Sequence, residues 1–473
     1  MKSLKPLRWA GILVGLGWAL YFVYSHLHYF SDVSFLGAVL LLEIIVASVW
    51  KYDQRFFVLL MVAFVWAGIG VPLEGAWSSG RWVVLAAGAA AGFIIWTKTP
   101  RAGFGSLHLI AFFCVSAAFV SASVSAFTQM AVLKASSLLL LFTYCASGAR
   151  LAVLGREERF FQGLCWASEI VVYLTAICYF GLGQVWGNPN SLGAVMSVAL
   201  FPILFWGWLT SEARAVRLRR LAALLLCTYL VLFSMARSGM VTVMAVTFVL
   251  CLCLRQYKLL VKVVALVLLL VAVTGIVAPE ALNQRFGGLK DAVLYKGHKE
   301  EGVFGSRRTP WEKTIASIKE HPWFGTGYGT SPTGEDPGLS FGTVRSNAES
   351  AREHGSSYMT IAEWVGLLGV LPFVALVVVT LSSVWKVCTW MRRTANPRHY
   401  SIPLAMVVLA GLVHAAFEDW LFAVGYYLCV YFWALAFVLA DLVPVSVAAP
   451  VTGAVSRTPR PSPTDFGAVV PTR

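Results

Sequence analysis

Long apolar runs separated by short polar segments are the dominant pattern of this sequence. A run of roughly 20 apolar residues is long enough to cross the hydrocarbon core of a bilayer as an α-helix. The pattern predicts an all-α, polytopic membrane protein with about 12–14 transmembrane helices and one long polar loop that contains short helices. The candidate spans lie near 9–29, 34–50, 56–71, 82–96, 104–124, 129–147, 160–182, 191–210, 220–235, 238–254, 259–278, 357–385, 401–417 and 420–440.

The long polar segment, 279–356, divides the chain. Residues 1–278 before it are predicted to form a transmembrane bundle of about 11 spans. Residues 357–441 after it are predicted to form the C-terminal transmembrane helices. The tail, 442–473, is rich in Pro, Ser and Thr and has no apolar period, which predicts disorder.

The loop charges predict an orientation, because Lys and Arg accumulate on the cytoplasmic side of a membrane. Basic residues recur in every second segment between spans, starting at the N-terminus, whereas the short loops on the other side hold only Arg81 and Arg237. Both termini and the tail are therefore expected in the cytoplasm, and 279–356 outside it. This topology explains the net charge of +14, so nucleic acid is not expected as a partner.

The composition agrees with this interpretation and adds little chemistry. The chain is 58% hydrophobic and 13% charged, which is too apolar for a soluble domain. None of the nine cysteines lies between 279 and 356, so no disulfide is expected in the outer loop. The pattern CLC at 251–253 lies in an apolar helix and indicates packing rather than a zinc site. No metal and no cofactor are expected.

Within the outer loop, the segment TPWEKTIASIKEHPW predicts a short amphipathic helix on the membrane surface. Thr309 is a suitable N-cap, Pro310 suits the first helical position, and Glu312 completes a capping box. Trp311, Ile315 and Ile318 are expected to share its apolar face, and His321 and Pro322 to end it. The glycine-rich GTGYGT that follows is interpreted as a turn rather than a phosphate cradle.

His354 lies where the outer loop enters the span that begins near 357. Ser356 or Ser357 is a suitable N-cap for that helix. Because a helix N-terminus disfavours a positive charge, His354 is expected to be neutral and suited to act as a general base. The alternative is a surface histidine bonded to its own loop. Glu363, about two turns into the helix, is either part of a structural ion pair or part of a catalytic site.

Two further outer turns contain polar residues that need an explanation. Arg237, in FSMARSGMV, opposes the charge trend and is expected to bind a phosphate or a carboxylate such as Glu418 or Asp419. Asn190, in GQVWGNPNSLG, is adequately explained by turn formation and helix capping.

Together these motifs resemble the superfamily of O-antigen ligases and polymerases of bacterial envelopes. NPN, ARSG, HPWFGTGYG and EHGSSYMTIAEWVGLLG occur in that family's order over residues 185–380. The resemblance implies that 279–356 is the catalytic loop and that His354 acts on the acceptor hydroxyl. It also implies that Arg237 and Arg307 bind the donor diphosphate, with the adjacent Arg308 as an alternative to Arg307. The supporting candidates are Glu363, Tyr358, Trp311 and Asn190.

The function implied by the resemblance is metal-independent glycosyl transfer. The donor would be a glycan on undecaprenyl diphosphate, and the acceptor a hydroxyl of lipid A core or of a growing polysaccharide. The reaction would take place at the periplasmic face of the bacterial inner membrane. Polymerisation of repeat units and glycan transfer to protein remain open alternatives.

Two hypotheses that assign the chain to other classes of protein also remain open. A flippase is suggested by ionisable residues in or near spans, namely Glu43, Lys134, Glu169 and Lys262. A cell-wall polymerase of the shape, elongation and division type would need a catalytic carboxylate in the outer loop, such as Glu335 or Asp336.

Overall fold

The computed structural model describes residues 54–67, 74–98, 103–182, 189–258, 261, 305–331 and 354–444. These residues form helices and no strand, which confirms the all-α prediction. The helices are α1 Gln54–Trp66, α2 Glu74–Lys98, α3 Ser106–Ser123, α4 Thr128–Val153, α5 Glu157–Ile177, α6 Asn190–Thr210, α7 Arg214–Phe233, α8 Arg237–Cys253, α9 Gly305–Glu320, α10 Ser357–Thr394, α11 Ser401–Ala415 and α12 Tyr427–Leu442.

Six of the described helices are long and apolar enough to cross a membrane, and four further apolar helices are shorter. The chain is therefore a multi-pass membrane protein. The candidate spans at 9–29, 34–50 and 259–278, and nearly all of the tail, lie outside the described residues. The division of the chain at 279–356 stays a prediction, and the candidate carboxylates Glu335 and Asp336 lie outside the described residues.

Three helices, α6, α11 and α12, form the centre of the bundle, because nearly all their side chains are buried. The helices around them bury small and apolar residues inward, and they leave large apolar side chains on the outside. Such an outer surface is favourable in hydrocarbon and unfavourable in water. Examples on α3, α5 and α10 are Phe112, Ile177, Leu371 and Trp385.

The helices bring distant residues together at two opposite ends of the bundle. At one end, which we call the site end, the contacts include Arg81 with Gly425, Lys134 with Gly329, Ser125 with Thr330 and His354 with Asp419. At the other end they include Arg150 with Asp441, Trp206 with Pro397 and Arg255 with Arg392. Most arginines of the helix termini lie at this second end.

Helix α10 is broken one turn after Glu363, and the glycine-rich segment repairs the break. Gly366 has φ +65° inside the helix, so the adjacent peptide groups cannot make their helical hydrogen bonds. The amides of Thr326 and Gly327 donate to the carbonyls of Glu363 and Trp364 at 3.0 and 3.1 Å, and the amide of Leu367 donates to Pro322 at 2.8 Å, all between backbone groups. Irregular backbone inside a membrane protein needs such partners. GTGYGT is therefore a turn, as predicted, but it is buried in the bundle.

Replacing Gly366 with alanine should destabilise the protein. The positive φ is strained for any residue with a side chain, and a Cβ at this position would collide with the backbone of Trp323. Strain of this kind costs about 1–3 kcal/mol before the collision is counted. We expect the melting temperature of the detergent-purified variant to fall by several degrees. Gly163→Ala is the matched control, since nothing lies within 4 Å of its added Cβ. An unchanged melting temperature for Gly366→Ala would contradict the role of the break.

Helix α9 differs from its prediction in its start and its buried face. It begins at Gly305, so Pro310 lies inside the helix and Thr309 is not its N-cap. Glu312 pairs with Arg308 instead of closing a capping box. Ile315 is 45% exposed, because α9 packs against α10 along a different face. That face contains Arg307, Trp311, Thr314, Ser317 and Ile318. The helix still ends at Glu320, immediately before His321 and Pro322, as predicted.

The last predicted span, 420–440, begins too early. Helix α12 starts at Tyr427, and residues 416–426 form a loop of turns at the site end. Trp420, Leu421 and Phe422 gave this loop the hydrophobicity of a span. They are apolar because the loop folds into the protein interior, where they are 4%, 0% and 2% exposed.

Candidate active site

The loop 416–426 is held against the start of α10 by Ser357. The Ser357 amide and hydroxyl both donate to the carbonyl of Glu418, at 3.0 and 2.6 Å, and the hydroxyl accepts a bond from the amide of Leu421 at 3.0 Å. Ser356 is the N-cap by position but makes no side-chain cap bond. These bonds place the side chains of Glu418 and Asp419 beside the residues that precede α10.

His354 is buried between two carboxylates. Its backbone amide donates to Asp419 Oδ2 at 3.1 Å, and its Nδ1 lies 3.3 Å from the same oxygen. Its Nε2 lies 3.5 Å from Glu363 Oε2, at the outer limit of a hydrogen bond. The side chains of His354 and Glu363 are 2% and 0% exposed. The alternative of a surface histidine is therefore wrong, because the ring faces the protein interior and not the solvent.

The electrostatics of this cluster act on the pKa of His354 in the direction opposite to that expected from the helix N-terminus. Burial alone lowers the pKa of His354, but hydrogen bonds and charges from Asp419 and Glu363 raise it above the ordinary value of 6.5. Burial raises the pKa of Asp419, and hydrogen bonds from His354 outweigh this and hold it below its ordinary value. A helix N-terminus acts as roughly half a positive charge, which is less than two nearby carboxylates supply.

Arg307, on α9, enters the same cluster from the other side. Its Nη2 lies 2.5 Å from Glu418 Oε1, and both side chains are largely buried. Arg237, the first residue of α8, is close enough to Arg307 for their charges to interact. The structure thus brings Arg237, Arg307 and His354 to one end of the bundle. Of the two carboxylates suggested as partners of Arg237, Glu418 binds Arg307 and Asp419 binds His354.

Arg308 does not face this cluster, and its assignment to the donor diphosphate stays a prediction that its position does not favour. Its side chain is 68% exposed and pairs with Glu312 one turn later. Adjacent residues of an α-helix point about 100° apart, so only one of two neighbouring arginines is directed at the site.

The supporting candidates have separate positions. Trp311 Nε1 donates to the carbonyl of Gly355 at 3.4 Å, next to His354. The Tyr358 hydroxyl donates to the carbonyl of Leu412 at 2.7 Å and joins α10 to α11. Asn190 lines a cavity at the site end, and Glu363 faces His354. Glu363 thus contacts His354, Trp311 contacts the residue after it, and Tyr358 contacts a neighbouring helix.

The cavity has a volume of about 530 Å³, and His354 forms part of its wall. Glu418, Asp419 and Asn190 also line it, together with aromatic residues such as Trp82, Trp420 and Tyr426. Pockets of about 300–1,000 Å³ suit small ligands. The described part of the chain contains no group of three or more His, Cys, Asp or Glu side chains that could hold a metal ion. Metal independence stays a prediction.

Two basic residues of the cavity wall, Arg81 and Lys134, were not predicted as site residues. Arg81 and Arg237 were the only two cations predicted in the short outer loops. Only Arg237 belonged to a recognised motif, so Arg81 was not selected. Lys134 was noted only as an ionisable residue in a span. Its position in the cavity wall depends on the packing of α4 against the glycine-rich segment.

Comparison with known proteins supports the resemblance found in the sequence. No curated protein matches the chain. Residues 221–374 match the sequence model of the O-antigen ligase family. This range includes Arg237, Arg307, His354 and Glu363, whereas the loop with Glu418 and Asp419 lies beyond it. The resemblance to the O-antigen ligase superfamily is confirmed, and the chain is a multi-pass membrane protein whose residues 221–374 are similar to the O-antigen ligase family.

Proposed function

We propose that this protein transfers a glycan from undecaprenyl diphosphate to a hydroxyl group of an acceptor at the outer face of the bacterial inner membrane. The acceptor is lipid A core or a growing polysaccharide. Both termini are then cytoplasmic, and the site end faces the periplasm. The similarity of residues 221–374 to the O-antigen ligase family supports the proposal. The observation that carries it is a buried histidine, bonded to Asp419, in the wall of a cavity beside a buried Arg307–Glu418 pair.

In the proposed reaction, the acceptor oxygen attacks the anomeric carbon of the donor sugar. In the proposed tautomer of neutral His354, Nδ1 carries the ring proton and donates it to Asp419, so Nε2 accepts the acceptor proton. The bond between the anomeric carbon and the diphosphate oxygen breaks, and its electron pair leaves with undecaprenyl diphosphate. Asp419 then stabilises the imidazolium that has formed.

The arginines serve the leaving group in this proposal. A diphosphate gains negative charge as the sugar departs, and charge-assisted hydrogen bonds from guanidinium groups stabilise that charge. Arg237 and Arg307 lie close together, an arrangement that favours a dianion. Without a donor, Glu418 offsets part of this positive charge by binding Arg307.

Transport is a weaker proposal for the described residues. Glu169 forms ion pairs with Arg219 and Arg220, so its charge has a structural explanation. Lys134 belongs to the cavity wall. Glu43 and Lys262 lie outside the described residues.

A reconstituted transfer assay tests the proposal. Protein in right-side-out vesicles would receive undecaprenyl-diphosphate-linked glycan in the bilayer, with lipid A core added outside. We expect glycan to appear on the acceptor as undecaprenyl diphosphate is released in equal amount. Elongation of the carrier-linked glycan instead identifies a polymerase, and glycan on an added serine-containing protein identifies an oligosaccharyltransferase. Movement of intact donor between leaflets without a new glycosidic bond contradicts the proposal and favours a flippase.

A further inference from the structure

The cavity wall contains two cations whose hydrogen bonds, among the described residues, are made only to backbone carbonyls. Arg81, on α2, donates from Nη1 to the carbonyl of Gly425 at 2.9 Å and stacks over the ring of Trp82 at 5.1 Å. Lys134, on α4, donates from Nζ to the carbonyl of Gly329 at 2.5 Å. Across the described ranges, neither side chain forms an ion pair with a carboxylate.

The carboxylates of this cavity are already engaged by other partners. Glu418 binds Arg307, and Asp419 binds His354. Within the described part of the chain, no carboxylate of the wall is therefore an ion-pair partner of Arg81 or Lys134. Removing a cation from water is unfavourable unless an opposite charge or several polar groups replace the water. Each of the two cations is bonded to one backbone carbonyl, and such a bond needs a hydrogen-bond donor but no positive charge. A neutral amide side chain, such as that of glutamine, would stabilise the fold equally well.

The surroundings of the two cations suit a saccharide. Aromatic faces and hydroxyl groups occur together in the wall, a combination that binds both the apolar faces and the hydroxyl groups of a sugar ring. The aromatic residues include Trp82, Trp420 and Tyr426, and the hydroxyl-bearing residues include Ser137, Ser191 and Ser331.

We propose that Arg81 and Lys134 form an anion-binding site for a phosphate or carboxylate group of the saccharide that enters the cavity. This site is separate from Arg237 and Arg307, which take the carrier diphosphate, and neither of those arginines lines the cavity. The protein therefore selects an acidic saccharide. The inference rests on the proposed function only in that the cavity receives a sugar substrate.

Binding of simple probes to the detergent-purified protein tests this site. Glucose 6-phosphate, glucuronate and glucose would be compared by calorimetry, with inorganic pyrophosphate as the probe for the donor site. We expect both acidic sugars to bind at least about tenfold more tightly than glucose, since charge-assisted hydrogen bonds are stronger than neutral ones. Equal affinity for the acidic sugars and glucose would overturn the proposal.

Variants locate the site and separate it from the arginine pair. Arg81→Gln and Lys134→Gln should each weaken glucose 6-phosphate binding about tenfold, whereas Lys134→Arg should retain it. Arg217→Gln is the matched control, because Arg217 also stacks on a tryptophan but is exposed and outside the cavity. Arg307→Gln should weaken pyrophosphate binding and spare glucose 6-phosphate.

Three results would contradict the inference. Both glutamine variants could keep full affinity for glucose 6-phosphate while their melting temperatures fall, which would assign the two cations to loop anchoring. Arg307→Gln could abolish binding of both probes equally, which would place all four cations in one donor site. Arg217→Gln could weaken binding as much as the cavity variants, which would indicate general charge attraction. If the wild-type protein binds acidic sugars more tightly than glucose but does not transfer glycan, that result would contradict only the proposed function.

Discussion

We expect His354→Gln to lower the rate of glycan transfer by roughly 100-fold or more while donor binding changes little. A positioned general base contributes about 10²–10⁴-fold to a rate. Glutamine can form hydrogen bonds but cannot accept a proton near neutral pH. His354→Ala should be at least as slow. The reconstituted assay measures the rate of transfer, and a binding assay on the same preparations measures their affinity for the carrier-linked donor. A glutamine variant with most of its activity would contradict proton transfer by His354.

The pH dependence of transfer tests the pairing of His354 with Asp419. A base acts only when it is unprotonated, so transfer should rise as the pH rises through the pKa of His354. This pKa is raised above 6.5 by the two carboxylates. Asp419→Asn removes one of these charges, and the rise should then occur at lower pH, by about one unit or more. Its maximal rate should also fall, because the imidazolium loses a counter-charge. An unshifted profile in Asp419→Asn would show that His354 is not the titrating base.

A second large effect is expected at Arg307. Arg307→Ala should reduce transfer about 10- to 100-fold, because a hydrogen bond to a charged group is worth about 1.5–3 kcal/mol. Arg307→Lys should restore only part of the rate, since an ammonium group lacks the planar fork of guanidinium. Arg237→Ala should behave similarly. In all three variants, we expect weaker binding of undecaprenyl diphosphate in the reconstituted assay.

Arg308→Ala is the matched control for this series. It removes the same side chain from the next position of α9, where the arginine is exposed and bound to Glu312. Its rate should stay within about twofold of wild type, as expected for an exposed ion pair.

Glu418→Gln distinguishes a role of Arg307 in donor binding from a purely structural role. If Arg307 serves only its ion pair with Glu418, Glu418→Gln and Arg307→Ala should lose melting temperature and donor binding equally, and that result would contradict a role in catalysis.

Much of the fold could be predicted because a transmembrane helix is a local property of the sequence. The span predicted at 238–254 is found at Arg237–Cys253, and the one predicted from 357 begins at Ser357. The loop 416–426 was missed for a physical reason. An apolar segment that fills the protein interior and one that faces lipid have the same composition, so hydrophobicity alone does not separate them.

The candidate site was predictable only where a motif carried it. The order of ARSG and EHGSS, with two adjacent arginines in the loop between them, indicated Arg237, Arg307 or Arg308, and His354. The fold brings Arg237, Arg307 and His354 to one end of the bundle. The choice between Arg307 and Arg308 needed the helix face, which is set by the packing of α9 on α10. The direction of the pKa shift of His354 could be found only once its partners, Asp419 and Glu363, were known. Local sequence suggested a helix N-terminus, whereas two carboxylates dominate its electrostatics.

By itself, the sequence determined that this is an all-α membrane protein, where most of its described helices lie, and which family its central segment resembles. Each of these follows from residues that are close together in the chain. Only the tertiary structure decided that Asp419 holds His354, that Glu418 binds Arg307, and that Arg81 and Lys134 line the same cavity. These contacts join residues far apart in sequence, and they form because particular helix ends meet. Which ends meet is decided by packing across the whole bundle, and local hydrophobicity does not encode it.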